Sequence, residues 1–172
     1  MTDDQFWDLI AASRDQFDPH RRDGNMDRQS ARMQQLLEAL DAAAVAEFLR
    51  LFNRHYRDAY RWDLWGAAFI IASGCSDDGF MDFRNWLISM GRDVYAAALA
   101  DPESLAAAAR APGVEDIFFE GFGSIAYMVL EDRGQEPDDD EPGDADEPAG
   151  QRWTEDDLQQ RFPKLWEAFG TT

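Results

Sequence analysis

Residues 41–60 read DAAAVAEFLRLFNRHYRDAY. Val45, Phe48, Leu49, Phe52, Tyr56 and Ala59 recur at steps of three, four and seven. That is the period of one buried face of an α-helix, not the alternation of a strand. Asp41 stands where an N-cap carboxylate accepts from the first unbonded amides. The spacing therefore predicts a helix over 42–60 with its apolar stripe in a core. Its outer face carries Arg50, Arg54, Arg57 and Arg61. These form either a solvated face balanced by Glu47 and Asp58 or a docking strip for something acidic.

The same period extends in both directions. Towards the N-terminus, Thr2 caps a helix to about Ser13, with Phe6, Leu9 and Ile10 on one face. Residues 15–27 read as a loop, marked by Asp18-Pro19 and Asp23-Gly24-Asn25. A helix over about 28–40 follows, with Met33, Leu36, Leu37 and Leu40 as its stripe. Towards the C-terminus, Trp62 to Ala72 is apolar nearly all round except for Asp63, the mark of a central buried helix. The turn GCSDDG, from Gly74 to Gly79, separates it from a helix over about 80–90. Gly91 ends or bends that helix before the alanine-rich 94–100. Asp101-Pro102-Glu103 starts a short helix that Pro112-Gly113 ends. Phe118, Phe122, Ile125 and Val129 predict a last core helix to Leu130, although 114–119 also reads as a short extended piece. The fold class expected is all-α: a compact multi-helix domain over 1–130.

Composition changes sharply after that. Residues 131–148 hold ten acids against one arginine, nearly half of the chain's formal charge of −19. The stretch to Gln151 has three prolines and no aromatic or branched apolar residue. It cannot bury enough to offset the entropy of ordering, so 131–152 is expected to be an acidic flexible linker. Beyond it, residues 153–172 form an amphipathic segment. Its stripe is Leu158, Phe162, Leu165, Trp166 and Phe169; Thr154 and Asp157 resemble a capping box, and Pro163 should break or kink the helix. A tether of about twenty residues lets this segment reach its own domain or a partner, including a second copy. The high effective concentration of an intramolecular contact favours folding back.

Arg84 is the unusual residue of helix 80–90. At about 100° per residue it falls inside the arc of Phe80, Phe83 and Leu87. A guanidinium on a buried face must be paired or must reach a cavity. Asp63, Asp77 and Asp78 are the partners expected, either in a structural ion pair or around a ligand anion that Arg84 grips. The turn itself reads as a helix cap by Ser76, Asp77 or Asp78, or as a small polar pocket. Cys75 is the chain's one cysteine. It reads as a small buried residue before it reads as a nucleophile.

Several classes recede. One cysteine permits no intramolecular disulfide and no multi-cysteine metal cluster. His20 and His55 have no ligand spacing, so no metal and no cofactor is expected. No phosphate loop, dinucleotide fingerprint, His-Glu-x-x-His or Gly-x-Ser-x-Gly motif is present. Both the acidic tail and the remainder are negative, against nucleic-acid and anionic-membrane partners. The acidic opening MTDDQFWDLI predicts no signal peptide, and the longest apolar runs are too short to span a bilayer. A cytoplasmic location is expected.

DDQFWDLIAASR (3–14), GCSDDGFMDFRNWLISMGRDVYAAAL (74–99) and EDIFFEGFGSIAYMVLE (115–131) resemble a bacterial family known as a domain of unknown function, number 4240 in its series. The resemblance covers about residues 1–131 and is most specific from Gly74 to Arg92. It implies a small bacterial, often actinobacterial, cytosolic protein and carries no catalytic residue with it. It adds weight to Cys75, Asp77, Asp78, Arg84 and Trp86, which lie in the distinctive stretch. The functional expectation is an interaction or regulatory module of the adaptor or immunity type, acting on a protein partner. The alternative is a small enzyme or ligand-binding protein with a polar pocket at the 74–79 turn and Arg84.

Overall fold

The computed structural model describes residues 1–136 and 143–170. Among them stand ten α-helices and no strand: α1 (Asp3–Ser13), α2 (Asn25–Glu38), α3 (Ala42–Asp58), α4 (Trp62–Ala72), α5 (Asp77–Ser89), α6 (Arg92–Ala100), α7 (Leu105–Ala109), α8 (Ile125–Asp132), α9 (Glu155–Arg161) and α10 (Pro163–Phe169). The chain is all-α, as its periodicity predicts. No helix among the described residues is long and apolar enough to cross a membrane.

α3 is the hub. Asp41 caps it by accepting from the Ala44 amide at 2.8 Å, and Val45, Phe48, Leu49 and Phe52 are buried. α1, α5 and α8 pack against it, and α2 bridges α1 and α8. The rings of Phe6, Phe48 and Phe52 meet at centroid distances of 5.0–6.5 Å. Burial of apolar side chains at about 1.5–3 kcal/mol each drives this assembly.

Four boundaries differ from the periodic reading, each for a physical reason. α2 begins at Asn25, three residues early, because Glu115 from across the fold accepts from the Gly24 and Met26 amides at 2.9 and 2.8 Å. A remote carboxylate thus does the work of an N-cap. α5 begins at Asp77, because Ser76 accepts from Gly79 N–H at 3.2 Å. α6 begins at Arg92, directly after Gly91 at φ +97°. The expected helix 118–130 is irregular up to Gly121; a 3-10 turn over Phe122–Ser124 then leads into α8. Ile117, Phe119 and Phe122 are nonetheless buried, and the Phe119 amide donates to the Asp82 carbonyl. The segment plugs the core without regular secondary structure.

The C-terminal segment lies on the domain. α10 packs on α4 and α7, and Leu158, Phe162 and Leu165 are buried. Pro163 separates α9 from α10 and is the first residue of α10. The Glu103 carboxylate accepts from the following Lys164 amide at 3.1 Å. Part of the expected flexible linker also lies on the domain. α8 runs to Asp132, and Arg133 donates to the Leu40 and Glu38 carbonyls at the end of α2, both at 2.9 Å. Asp144 lies against α5, and Ala149 and Trp153 lie against the start of α4. The acidic triplet 138–140 lies outside the described residues.

Candidate functional site: an arginine in an aromatic cage

The break between α3 and α4 sets up the site. Tyr56 and Tyr60 stand at the end of α3 and beyond it; Trp62 opens α4. α5 crosses this corner with Phe80 and Arg84 one turn apart on its buried face. The Arg84 guanidinium is 1 % exposed. Its carbon lies 3.7 Å from the Tyr56 ring centroid, 4.7 Å from Tyr60 and 5.3 Å from Phe80. Three π faces hold the cation, each contact contributing about 0.5–2 kcal/mol in such surroundings. The same burial pushes the Tyr56 phenol up to about 12, with the Arg84 charge opposing it.

The counter-charge comes from the acidic segment. Asp144 accepts both terminal nitrogens of Arg84, at 2.8 and 2.7 Å, in a bidentate fork. One of those nitrogens also donates to the Tyr56 carbonyl at 3.2 Å. The Arg84 Nε–H is buried with no hydrogen-bond partner. Asp144 therefore satisfies the charge and leaves a third donor unused. Asp144 replaces the expected partners. Asp63 pairs with Arg61, its neighbour two residues back (Nε–O 3.0 Å), and Asp77 and Asp78 are exposed on the first turn of α5. Neighbours along the chain were the natural expectation, but the partner sits sixty residues away in the acidic run.

From Asp144 the chain runs along the α3–α4 corner to a second contact. The Ala149 amide donates to the Tyr60 carbonyl and the Trp62 amide to the Ala149 carbonyl, both at 2.9 Å. This pair of bonds is an isolated parallel bridge. Trp153 follows, its Nε1–H donating to the Trp62 carbonyl at 2.7 Å. The indole stands edge-on to Trp62 and Trp65, at interplanar angles of 90° and 87°, and 5.2 Å from Phe69. The floor of this groove is Gly66. A Cβ there would lie 2.9 Å from the Phe162 ring and 3.1 Å from the Trp153 indole. A glycine inside a helix costs about 1 kcal/mol against alanine, and here it makes room for two rings. Trp62, Trp65 and Phe80 stack in sequence at 5.3 and 5.0 Å. The indole groove and the arginine cage are thus two ends of one aromatic stack.

The other sequence candidates are placed elsewhere. At the 74–79 turn, Ser76 caps α5 and the Cys75 carbonyl accepts from Trp65 Nε1 at 2.9 Å. Burial pushes the Cys75 thiol up to about 12, so it is protonated at neutral pH. Trp86 is buried in the core beside Phe83. Of the arginine strip, Arg50 pairs with Glu47, Arg54 with Asp3 and Arg61 with Asp63; Arg57 is half-buried. Within the described part of the acidic segment, Asp144 meets Arg84. Trp166 and Phe169 are half-buried, with Arg110 over the Phe169 ring at 4.5 Å. His20 is exposed, and His55 is buried against Asp3 at 2.8 Å. Among the described residues no group of three His, Cys, Asp or Glu side chains is placed to hold a metal ion.

Sequence reasoning singled out Arg84 and missed Asp144, Tyr60, Gly66 and Trp153. A legible signal existed for Gly66: it is the lone glycine in a helix that is apolar but for Asp63. The model of a family described as a protein of unknown function (DUF4240) matches residues 1–132. That span holds Arg84, its three rings and Gly66, and leaves out Asp144, Trp153 and Phe162. No curated protein and no solved structure matches the chain.

Proposed function

The chain belongs to the DUF4240 family, and from that premise we propose that it is an interaction module that recognises acidic polypeptide through the Arg84 cage. One observation carries this reading: a fully buried arginine of the family domain takes its carboxylate from an acidic segment beyond that domain. A buried charge without a counter-charge is strongly unfavourable. The domain therefore demands an acid at this place, and a side chain on a tether is an acid that can be exchanged. The role is that of a regulatory or adaptor protein, in a cytoplasmic setting, with a protein partner. The protonated thiol of Cys75 and the capping role of Ser76 lend nothing to the alternative of an enzyme pocket at the 74–79 turn.

The test is a titration of the full-length Asp144→Ala variant with the hexapeptide of residues 143–148, GDADEP. The expected result is saturable binding that weakens with salt and is lost when the aspartate equivalent to Asp144 is replaced by asparagine. Equal binding of both peptides, or of neither, would overturn the reading.

A further inference from the structure

We propose that the Arg84 cage and the Gly66 groove are two subsites of one docking surface, whose partner is an extended segment carrying a carboxylate about nine residues ahead of a tryptophan. The inference rests on the preceding reading of Arg84 and adds the identity of the rest of the ligand.

Three observations converge on this partner. The cage selects an acid, because a guanidinium that is 1 % exposed needs a negative partner in bidentate geometry. The groove selects an indole: Gly66 supplies the depth, perpendicular Trp62 and Trp65 supply the walls, and the Trp62 carbonyl accepts the indole N–H at 2.7 Å. Between them, at the α3–α4 break, the Tyr60 carbonyl and the Trp62 amide are open to a passing backbone. A passing backbone takes both, as Ala149 does. That pair of bonds fixes the register between acid and indole, in the manner of strand addition.

Residues 144–153 of this chain are then a resident copy of the ligand. The whole surface lies within the family-matched span, and its occupant lies wholly outside it. The occupant is also an imperfect fit at the acid end. Asp144 remains 30 % exposed, Gly143 and residues 145–147 are exposed, and Arg84 Nε is left without an acceptor. A partner carboxylate that meets the guanidinium side-on, at Nε and one terminal nitrogen, satisfies the donor that Asp144 leaves. The resident copy competes at the high local concentration of a tethered segment, so it sets a threshold that a partner must exceed.

The experiment uses the full-length Asp144→Ala/Trp153→Ala variant and a labelled peptide of residues 143–153, GDADEPAGQRW, read by fluorescence anisotropy. The peptide is expected to bind this variant at least about tenfold more tightly than the wild-type chain, whose own segment competes. Replacing the peptide tryptophan by alanine should weaken binding about tenfold or more, the scale of a buried aromatic anchor. If that replacement has no effect while replacing the first aspartate does, the two-subsite inference is overturned and the acid reading stands. If the first aspartate is without effect, the acid reading falls as well. Absence of binding by the parent peptide overturns both. Should the double variant fail to fold, Trp153→Ala alone keeps Arg84 paired. It should bind the parent peptide more tightly than wild type does and lose that gain when Gly66→Leu is added; no gain overturns the inference. Sedimentation of the wild-type chain covers the remaining occupant. A dimer that disappears in the double variant would put a second copy's segment on the surface and overturn a foreign partner.

Discussion

Arg84 shows what a single misplaced charge implies. Its position on the apolar arc of α5 demands an acid, and the acid is Asp144 at 2.7 Å. Breaking such a pair leaves a buried cation uncompensated, at a cost of about 3–5 kcal/mol when both partners are buried. Asp144 is 30 % exposed, so water recovers part of the loss and about 2–3 kcal/mol is expected for Asp144→Ala. Adding Arg84→Met to that variant should restore stability, because it removes the stranded charge and keeps its volume. Urea unfolding of the two variants checks the order, and a double variant less stable than the single one would contradict it.

A second residue-scale prediction concerns His55. Burial holds its pKa below the usual histidine value, against the pull of Asp3, and its Nδ1 is buried without a partner. Protonation would place a donor there with nothing to accept it. The folded pKa is depressed, so the unfolded chain binds more protons in the window between that pKa and about 6.5. Stability contributed by neutral His55 is present above this window and is lost as pH falls through it. The wild-type melting temperature should therefore fall more between pH 7 and pH 5 than that of His55→Gln. Parallel pH profiles would show that His55 is not the group responsible.

At the scale of elements, the helices with complete local signals were legible. α1 and α3 carry both a period and a cap in their own residues, Thr2 and Asp41, and α4 shows as the apolar run from Trp62. Two of the boundaries that differ were set from elsewhere in the fold. Glu115 caps α2 from ninety residues away, and the Asp82 carbonyl holds the plug at Phe119. The site was half legible for the same reason. Helical phase exposes Arg84 as anomalous, but no local pattern connects it to residue 144 across sixty positions. The acidic run presents Asp144 among nine other acids with nothing local to set it apart. Gly66 offers an element-scale test. Gly66→Ala should gain about 1 kcal/mol of helix propensity in α4 yet crowd Phe162 and Trp153. Amide exchange should quicken in residues 149–166 while α1–α3 stay unchanged. Slower exchange in 149–166 would mean that the rings adapt and propensity wins.

For the whole molecule, the contrast is between a helical domain and a segment, 143–170, that lies on α4 and α7 and reaches Arg84 of α5. Leu158, Phe162 and Leu165 are buried there, each gaining about 1.5–3 kcal/mol, against the entropy of ordering the segment. A net contribution of about 2 kcal/mol would lower the melting temperature by roughly 4–8 °C when the segment is removed. A chain ending at residue 136 should show that loss together with increased binding of a hydrophobic dye. An unchanged melting temperature and no dye binding would mean that the segment adds nothing to the fold.

The central claim is that the segment holds a site meant for an exchangeable acid. Hydrogen exchange on the wild-type chain tests it most directly, with and without millimolar GDADEPAGQRW peptide. Displacement predicts that exchange accelerates in residues 143–162, while the amides of α3 and α5 around Arg84 keep their protection because the peptide replaces what it removes. Unchanged exchange throughout 143–162 at saturating peptide would contradict the claim and leave Arg84 and Asp144 as a fixed structural pair.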